Sequence, residues 1–195
     1  FFILFLLFQM LLFFPSVAVC KTYKVLVVMS YEEDFPWCRE VKAGLESVLG
    51  EHCELEFFYM NTKTTIEEGH KKAKQAYEFY LKYKPDGVIT VDDNAQFMFV
   101  LPYLKEKVTT PVVFCGVNAD PEKYGYPAAN VTGVLERGHI RESIAFLQEL
   151  IPAVRTISYM ARESPTGQAV LAQAKDGAPT YSMESKHFLL PSTLE

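Results

Sequence analysis

From Thr22 onward, short apolar runs of strand length alternate with segments of helical period, and this alternation constrains the fold more than any other feature of the chain. Such a pattern is the signature of a parallel sheet whose crossover helices cover its faces. The runs are YKVLVVM (23–29), LEFFYM (55–60), GVITV (87–91), PVVFC (111–115), VTGVL (131–135) and RTISYMA (155–161). GVITV is almost unbroken in apolar and β-branched residues, as burial on both faces requires. The expected class is therefore α/β, a doubly wound parallel sheet flanked by helices.

The intervening segments carry helix signals. Asp34 and Pro36 open a stripe of Trp37, Val41, Leu45, Val48 and Leu49 that Gly50 ends. Thr65 and Glu68 have capping-box spacing ahead of Ile66, Ala73, Ala76, Tyr77 and Tyr80, with Lys63, Lys71, Lys72, Lys74 and Lys82 on the solvated side. A third helix should begin near Asn94 and kink or restart at Pro102. A long connection containing Pro121, Tyr124, Tyr126 and Pro127 precedes 131–135, and loops of such length are usually functional or mobile. Residues 139–151 place Ile144, Leu147 and Ile151 on one face before Pro152, and Ser164 with Pro165 opens a last helix holding Val170, Leu171 and Ala174. Beyond Lys175 no period is legible, so 176–195 is expected to be an irregular, poorly ordered tail.

Residues 1–20 contain no Asp, Glu, Lys or Arg, and FFILFLLFQMLLFF is broken only by Gln9. This run is shorter than the ~20 residues a membrane-crossing helix needs and ends at Pro15 before SVA, a pattern suited to a secretory signal cleaved after Ala18. VAVC (17–20) also resembles a lipobox that would lipidate Cys20, although Val19 is bulky for that position; a retained anchor helix is the third reading. No Met opens the chain and no basic segment precedes the run, so the expectation is that the sequence starts inside a longer one. Cys38, Cys53 and Cys115 follow the leader; the odd number makes no disulfide framework, and their spacing suits no zinc site.

A formal net charge of -5 argues against nucleic acid as partner. Enzyme signatures are absent: no GxGxxG follows the first strand, and there is no P-loop, GxSxG or HExxH. His52, His70, His139 and His187 are scattered and read as surface residues. A phospho-accepting receiver domain would use Glu32, Glu33 and Asp92 after the first and third strands, but a secretory leader contradicts its cytoplasmic chemistry.

Ligands of an open parallel sheet bind outside the carboxyl ends of the strands. That rule selects Ser30, Tyr31 and Glu32 after the first strand, Asp92, Asp93, Asn94 and Gln96 after the third, and Gly116, Val117 and Asn118 after the fourth. One of Asp92 and Asp93 is expected to cap the following helix and leave the other free. Glu32, Glu33, Asp34, Asp92 and Asp93 make the edge acidic, which leans towards a cationic or neutral polar solute.

ANVTGV (129–134), ELIPAVRTISYM (149–160) and SPTGQAV (164–170), together with DGVITVDDNAQ and VVFCGVNADPEKYG, resemble the ABC-transporter substrate-binding family of type I periplasmic-binding fold, whose better-known members are tryptophan-binding-like lipoproteins. The resemblance covers about 23–175 and implies ligand contact at Tyr31, Asp93, Asn94, Ala95, Gly116, Val117 and Asn118. SYEEDFPW departs from the Thr-Gln type of sequence at the first strand end, so aromatic amino-acid specificity is not carried over. NVT (130–132) also matches a glycosylation sequon, which the strand motif explains better.

The organisation this implies is a signal peptide at 1–19, ligand-binding lobe one at 22–152, the start of lobe two at 153–175, and the tail, with most of lobe two missing. The expected function is extracytoplasmic capture of a small-molecule solute for an ABC permease, without cofactor, metal or covalent chemistry. Its rivals are the extracytoplasmic sensor domain of a membrane signalling protein, which the leader retained as an anchor would suit, and a secreted enzyme using Asp92 or Asp93.

Overall fold

The computed structural model describes residues 22–192, so the leader, its cleavage point after Ala18 and Cys20 lie outside the described residues. The chain order is β1 (Tyr23–Met29), α1 (Pro36–Leu49), β2 (Cys53–Tyr59), α2 (Gly69–Tyr83), β3 (Gly87–Val91), α3 (Asp93–Ala95), β4 (Val112–Val117), β5 (Val131–Leu135), α4 (Ile140–Leu150), β6 (Thr156–Met160), α5 (Pro165–Gly177) and β7 (Glu184–Leu189). The first five strands form one parallel sheet in the order β2-β1-β3-β4-β5. The order reverses between β1 and β3, the switch point at which an open α/β sheet makes its crevice.

Alternation along β1 separates two apolar layers. Val25, Val27 and Met29 meet Trp37, Val41 and Leu45 of α1, whereas Leu26 and Val28 join Ala73, Ala76 and Tyr80 of α2 with Met98 and Phe99. The second layer is the larger, and Leu26, Ala76 and Phe99 are fully buried in it. β4 and β5 carry exposed apolar side chains at Val113 and Val134.

Three local expectations are corrected. Thr65 does not close a capping box: its hydroxyl donates to the Asn61 carbonyl at 2.9 Å, a tight turn fills Ile66–Glu68, and α2 begins only at Gly69. Pro102 does not restart its helix at a new N-terminus, because α3 runs on as a π-helical segment, Gln96–Leu104, with Pro102 inside it. The wider winding, with Lys105 N–H bonded to the Val100 carbonyl at 2.8 Å, accommodates a residue that has no N–H and crowds the preceding turn. The tail is not irregular throughout, since Glu184–Leu189 forms β7 and pairs parallel to β6. A register shift between Ile157 and Ser158 interrupts that pairing, and Tyr159 stacks on Phe188 at 4.9 Å. β7 escapes a periodicity reading because ESKHFL offers only isolated inward positions at Ser185 and Phe188.

The β6–β7 ribbon, α4 and α5 make a second unit. Arg141 of α4 donates to Thr180 at 2.8 Å, Ser182 donates to Gln148, and Ile140, Ile144 and Leu147 line one groove with Ile157 of β6. Glu136 N–H still bonds the Val117 carbonyl at 2.8 Å. The chain therefore leaves the five-stranded unit just after Glu136 and Arg137, ahead of α4 and well before the expected boundary at 152.

Candidate functional site

Three strand ends are knotted together by one small residue. Ser30, fully buried beyond β1, donates its hydroxyl to the Val91 carbonyl at 2.7 Å and accepts from Ala95 N–H at 2.9 Å. Its own carbonyl accepts from both the N–H (2.9 Å) and the hydroxyl (2.7 Å) of Thr62, which follows β2. Asn94 then donates to the Thr62 hydroxyl at 2.8 Å, while its buried carbonyl oxygen has no hydrogen-bond partner among the described residues.

The two adjacent carboxylates have opposite assignments. Asp93 is fully buried and accepts from Asn118 N–H (2.9 Å), Ala119 N–H (3.0 Å) and the Tyr124 hydroxyl (2.9 Å). It fastens the connection after β4, and burial together with the Asp93 charge raises the pKa of the Tyr124 phenol. Asp92 has φ +75 and ψ 166, a region a non-glycine residue enters only when its surroundings hold it there. Its N–H is fixed to the Cys115 carbonyl at 2.9 Å, and its carboxylate accepts from Asn94 N–H at 3.3 Å. The remaining donor comes from the second unit: Thr166, in the first turn of α5, donates to the two carboxylate oxygens at 3.0 and 2.9 Å. The Tyr31 hydroxyl lies 3.3 Å from that same Thr166 oxygen. Burial, then the neighbouring Asp93 charge, pushes the Asp92 pKa up to about 6. The expectation that one of the two acids would be left free is thus corrected, because Asp92 both caps α3 and receives α5, and Asp93 is saturated.

Tyr31 sits in an aromatic cluster, 5.5 Å from Phe35 and 5.8 Å from Trp37, with the Lys63 ammonium 4.3 Å above its ring. Gly116 adopts φ +67 at an irregularity in the β4–β5 pairing, and a Cβ there would meet the Trp37 ring at 2.9 Å. Asn118 reaches the second unit through its carbonyl, which accepts from Gln173 of α5 at 2.6 Å.

The structure therefore gathers Ser30, Tyr31, Asp92, Asn94, Gly116 and Asn118 at one end of the sheet. It also brings Asp93, Ala95 and Val117 there, and these three share with Ser30 a complete lack of exposed surface. Thr62, Thr166, Gln173 and Arg137 were missed by sequence reasoning. Thr62 follows a strand just as the selected residues do, so the same rule applied to β2 would have found it.

Open space at this end lies between Asn118, Asp120, Lys123 and Arg137 on one side and Gln168 and Gln173 of α5 on the other, a cleft of ≈ 300 Å³. Arg137 is oriented by donation to the Asn118 carbonyl at 3.1 Å. A larger cavity, ≈ 680 Å³, lies outside the contact between the units, beside α1 and the end of β2. Glu32, Glu33 and Asp34 line it together with Arg39 and Lys42, so the acidic edge read from the sequence divides between two places. The smaller cleft is the better candidate because both units build it at the carboxyl ends of the strands. Cys38, Cys53 and Cys115 are free thiols, and among the described residues no cluster of His, Cys, Asp and Glu could hold a metal ion.

No protein-family profile matches the chain, and no curated protein sequence matches it. Solved structures do. An ABC domain in complex with L-Trp from Streptococcus pneumoniae aligns with a TM-score of 0.66 at 17% identity, over 86% of this chain and 57% of that one. A conserved domain protein from Vibrio cholerae gives 0.67 at 21%, over 87% and 57%, and the leucine-binding protein LivK from Thermotoga maritima gives 0.56 at 14%, over 88% and 49%. This chain spans from about half to nearly three-fifths of the length of these structures. Sheet order, strand-end site and these likenesses together give the described chain the fold of the type I periplasmic binding proteins.

Proposed function

We propose that the protein is an exported solute receptor that captures a small polar molecule between its two units and delivers it to an ABC permease in the membrane. One observation carries this reading: the first turn of α5 docks on the ends of β1 and β3 at the sheet's switch point, leaving a cleft lined by both units. A ligand touching both sides of such a cleft binds the closed form better than the open one, and that difference is what closes it. The polar groups support holding, since Asn118, Asp120, Lys123, Arg137, Gln173 and Asp176 offer donors, acceptors and charges of both signs around the cleft. Among the structural neighbours, LivK is named a leucine-binding protein and the Streptococcus pneumoniae ABC domain is in complex with L-Trp, in keeping with a role in ligand binding.

Export rests on the leader. Mass spectrometry of the mature N-terminus distinguishes cleavage after Ala18 from lipidation of Cys20. Calorimetry on the full-length protein against amino acids, sugars and nucleosides tests capture. One compound should bind with 1:1 stoichiometry and compact the protein in scattering; turnover of a compound, or no binding across the panel, sinks the reading.

A further inference from the structure

The charges around the cleft between the units are left without partners. Asp120, Lys123, Arg137 and Asp176 all line it, and none of them is in an ion pair among the described residues. Asp120 is engaged in another way, since its carboxylate caps the Pro121–Tyr124 turn by accepting from Glu122 N–H at 3.0 Å. Arg137 is held from behind: Nη1 donates to the carbonyls of Asn118 at 3.1 Å and Glu136 at 2.7 Å. The rest of that guanidinium fork donates to no group among the described residues, so it remains available to an acceptor in the cleft.

The two signs come from opposite sides. Lys123 lies in the connection after β4 and Arg137 where the chain leaves the five-stranded unit, whereas Asp176 belongs to α5. Gln168, Ala172 and Asp176 recur at four-residue spacing and share the face of α5 that lines the cleft. Asp176 stands in the last turn of that helix, where unpaired backbone carbonyls already make the surroundings negative. A cation beside it relieves that repulsion.

Size and lining narrow the solute further. The cleft of ≈ 300 Å³ is at the small end of ligand sites, and its apolar side chains are Ala119, Ala169 and Ala172, with no aromatic ring and no branched aliphatic chain. We infer that the cleft takes a small hydrophilic zwitterion, its anionic group on Arg137 and Lys123 and its cationic group on Asp176, and that it turns away solutes with a large apolar side chain. This names the solute class for the capture reading above and rests on it. A solute bonded to both sides at once ties α5 to the first unit. Succinate would set a second anion against Asp176, and putrescine a second cation against Arg137 and Lys123, so each is attracted at one side and repelled at the other.

Calorimetry on the full-length protein, at neutral pH and low salt, compares L-serine, L-glutamine and β-alanine with succinate, putrescine, L-leucine and L-tryptophan. At least one of the three hydrophilic zwitterions should bind, and the other four compounds should bind about tenfold or more weakly, the effect of one lost charge-assisted contact or of an apolar group without a partner. D176N should weaken the bound zwitterion by about tenfold with the unfolding midpoint unchanged, because Asp176 is exposed. D176K adds a cation to the cleft and should invert the order, so that succinate binds more tightly than the zwitterion, an outcome that misfolding cannot produce. Undiminished binding of the zwitterion by D176N, or succinate, putrescine, L-leucine or L-tryptophan binding as tightly as the best zwitterion, overturns the assignment. A sugar or nucleoside as the one bound compound keeps capture and overturns the zwitterion, whereas no binding in any class sinks both.

Discussion

The two units of this protein spend their sequence differently. In the five-stranded unit Leu26, Val27, Val28 and Met29 of β1 are all fully buried, because the strand is covered on both faces and flanked on both edges. In the second unit β6 reads exposed and half-buried in alternation, and Met160, Leu150 and Phe146 are more than half exposed. A strand pair has two edges and two faces to cover, and α4 with α5 covers only part of them. The first unit is thus a core with a site at its rim, whereas the second is a platform that presents one helix to that rim.

Replacing Phe99 by Ala opens a cavity in the larger apolar layer and should cost about 3–5 kcal/mol in urea unfolding. If Leu171→Ala on α5 costs as much, the contrast between the units is wrong. Asp93→Ala strands two backbone N–H groups and the Tyr124 hydroxyl, and a loss of about 3 kcal/mol is expected, with the connection after β4 becoming protease-sensitive. An unchanged unfolding midpoint would show that this carboxylate does not fasten the rim. Ser30→Ala breaks the knot between β1, β3 and α3 and should cost about 1–2 kcal/mol, read by the same unfolding curve. Val134→Ser, on an exposed face of β5, should stay within about 0.5 kcal/mol. A larger loss there would mean that another surface covers β5 in solution.

Much of the first unit was legible because its signals are local. YKVLVVM, GVITV and VTGVL each became a strand with the expected bounds, since an apolar β-branched run bounded by turn residues needs no distant information. The strand-end rule found the rim for the same reason, as Ser30, Asp92 and Asn118 follow their strands directly. The individual duties of Asp92 and Asp93 were not legible. Asp92 stands just outside α3 with φ +75 and Asp93 is its first helical residue, so one carboxylate meets Thr166 of α5 and the other the connection after β4, and composition cannot say which.

The sequence by itself determined the layered α/β class, the run of parallel strands and the end of the sheet at which polar groups gather, all through periodicity and the chemistry of strand termini. Only the tertiary structure decided that α4 joins the second unit, that Glu184–Leu189 becomes a strand, and that Thr166 and Gln173 complete the rim. Those outcomes depend on contacts such as Asp92 with Thr166, 74 residues apart, and Asn118 with Gln173, 55 apart. No local propensity encodes such pairs; they exist because packing the second unit against the first leaves a buried carboxylate and a buried carbonyl that need donors.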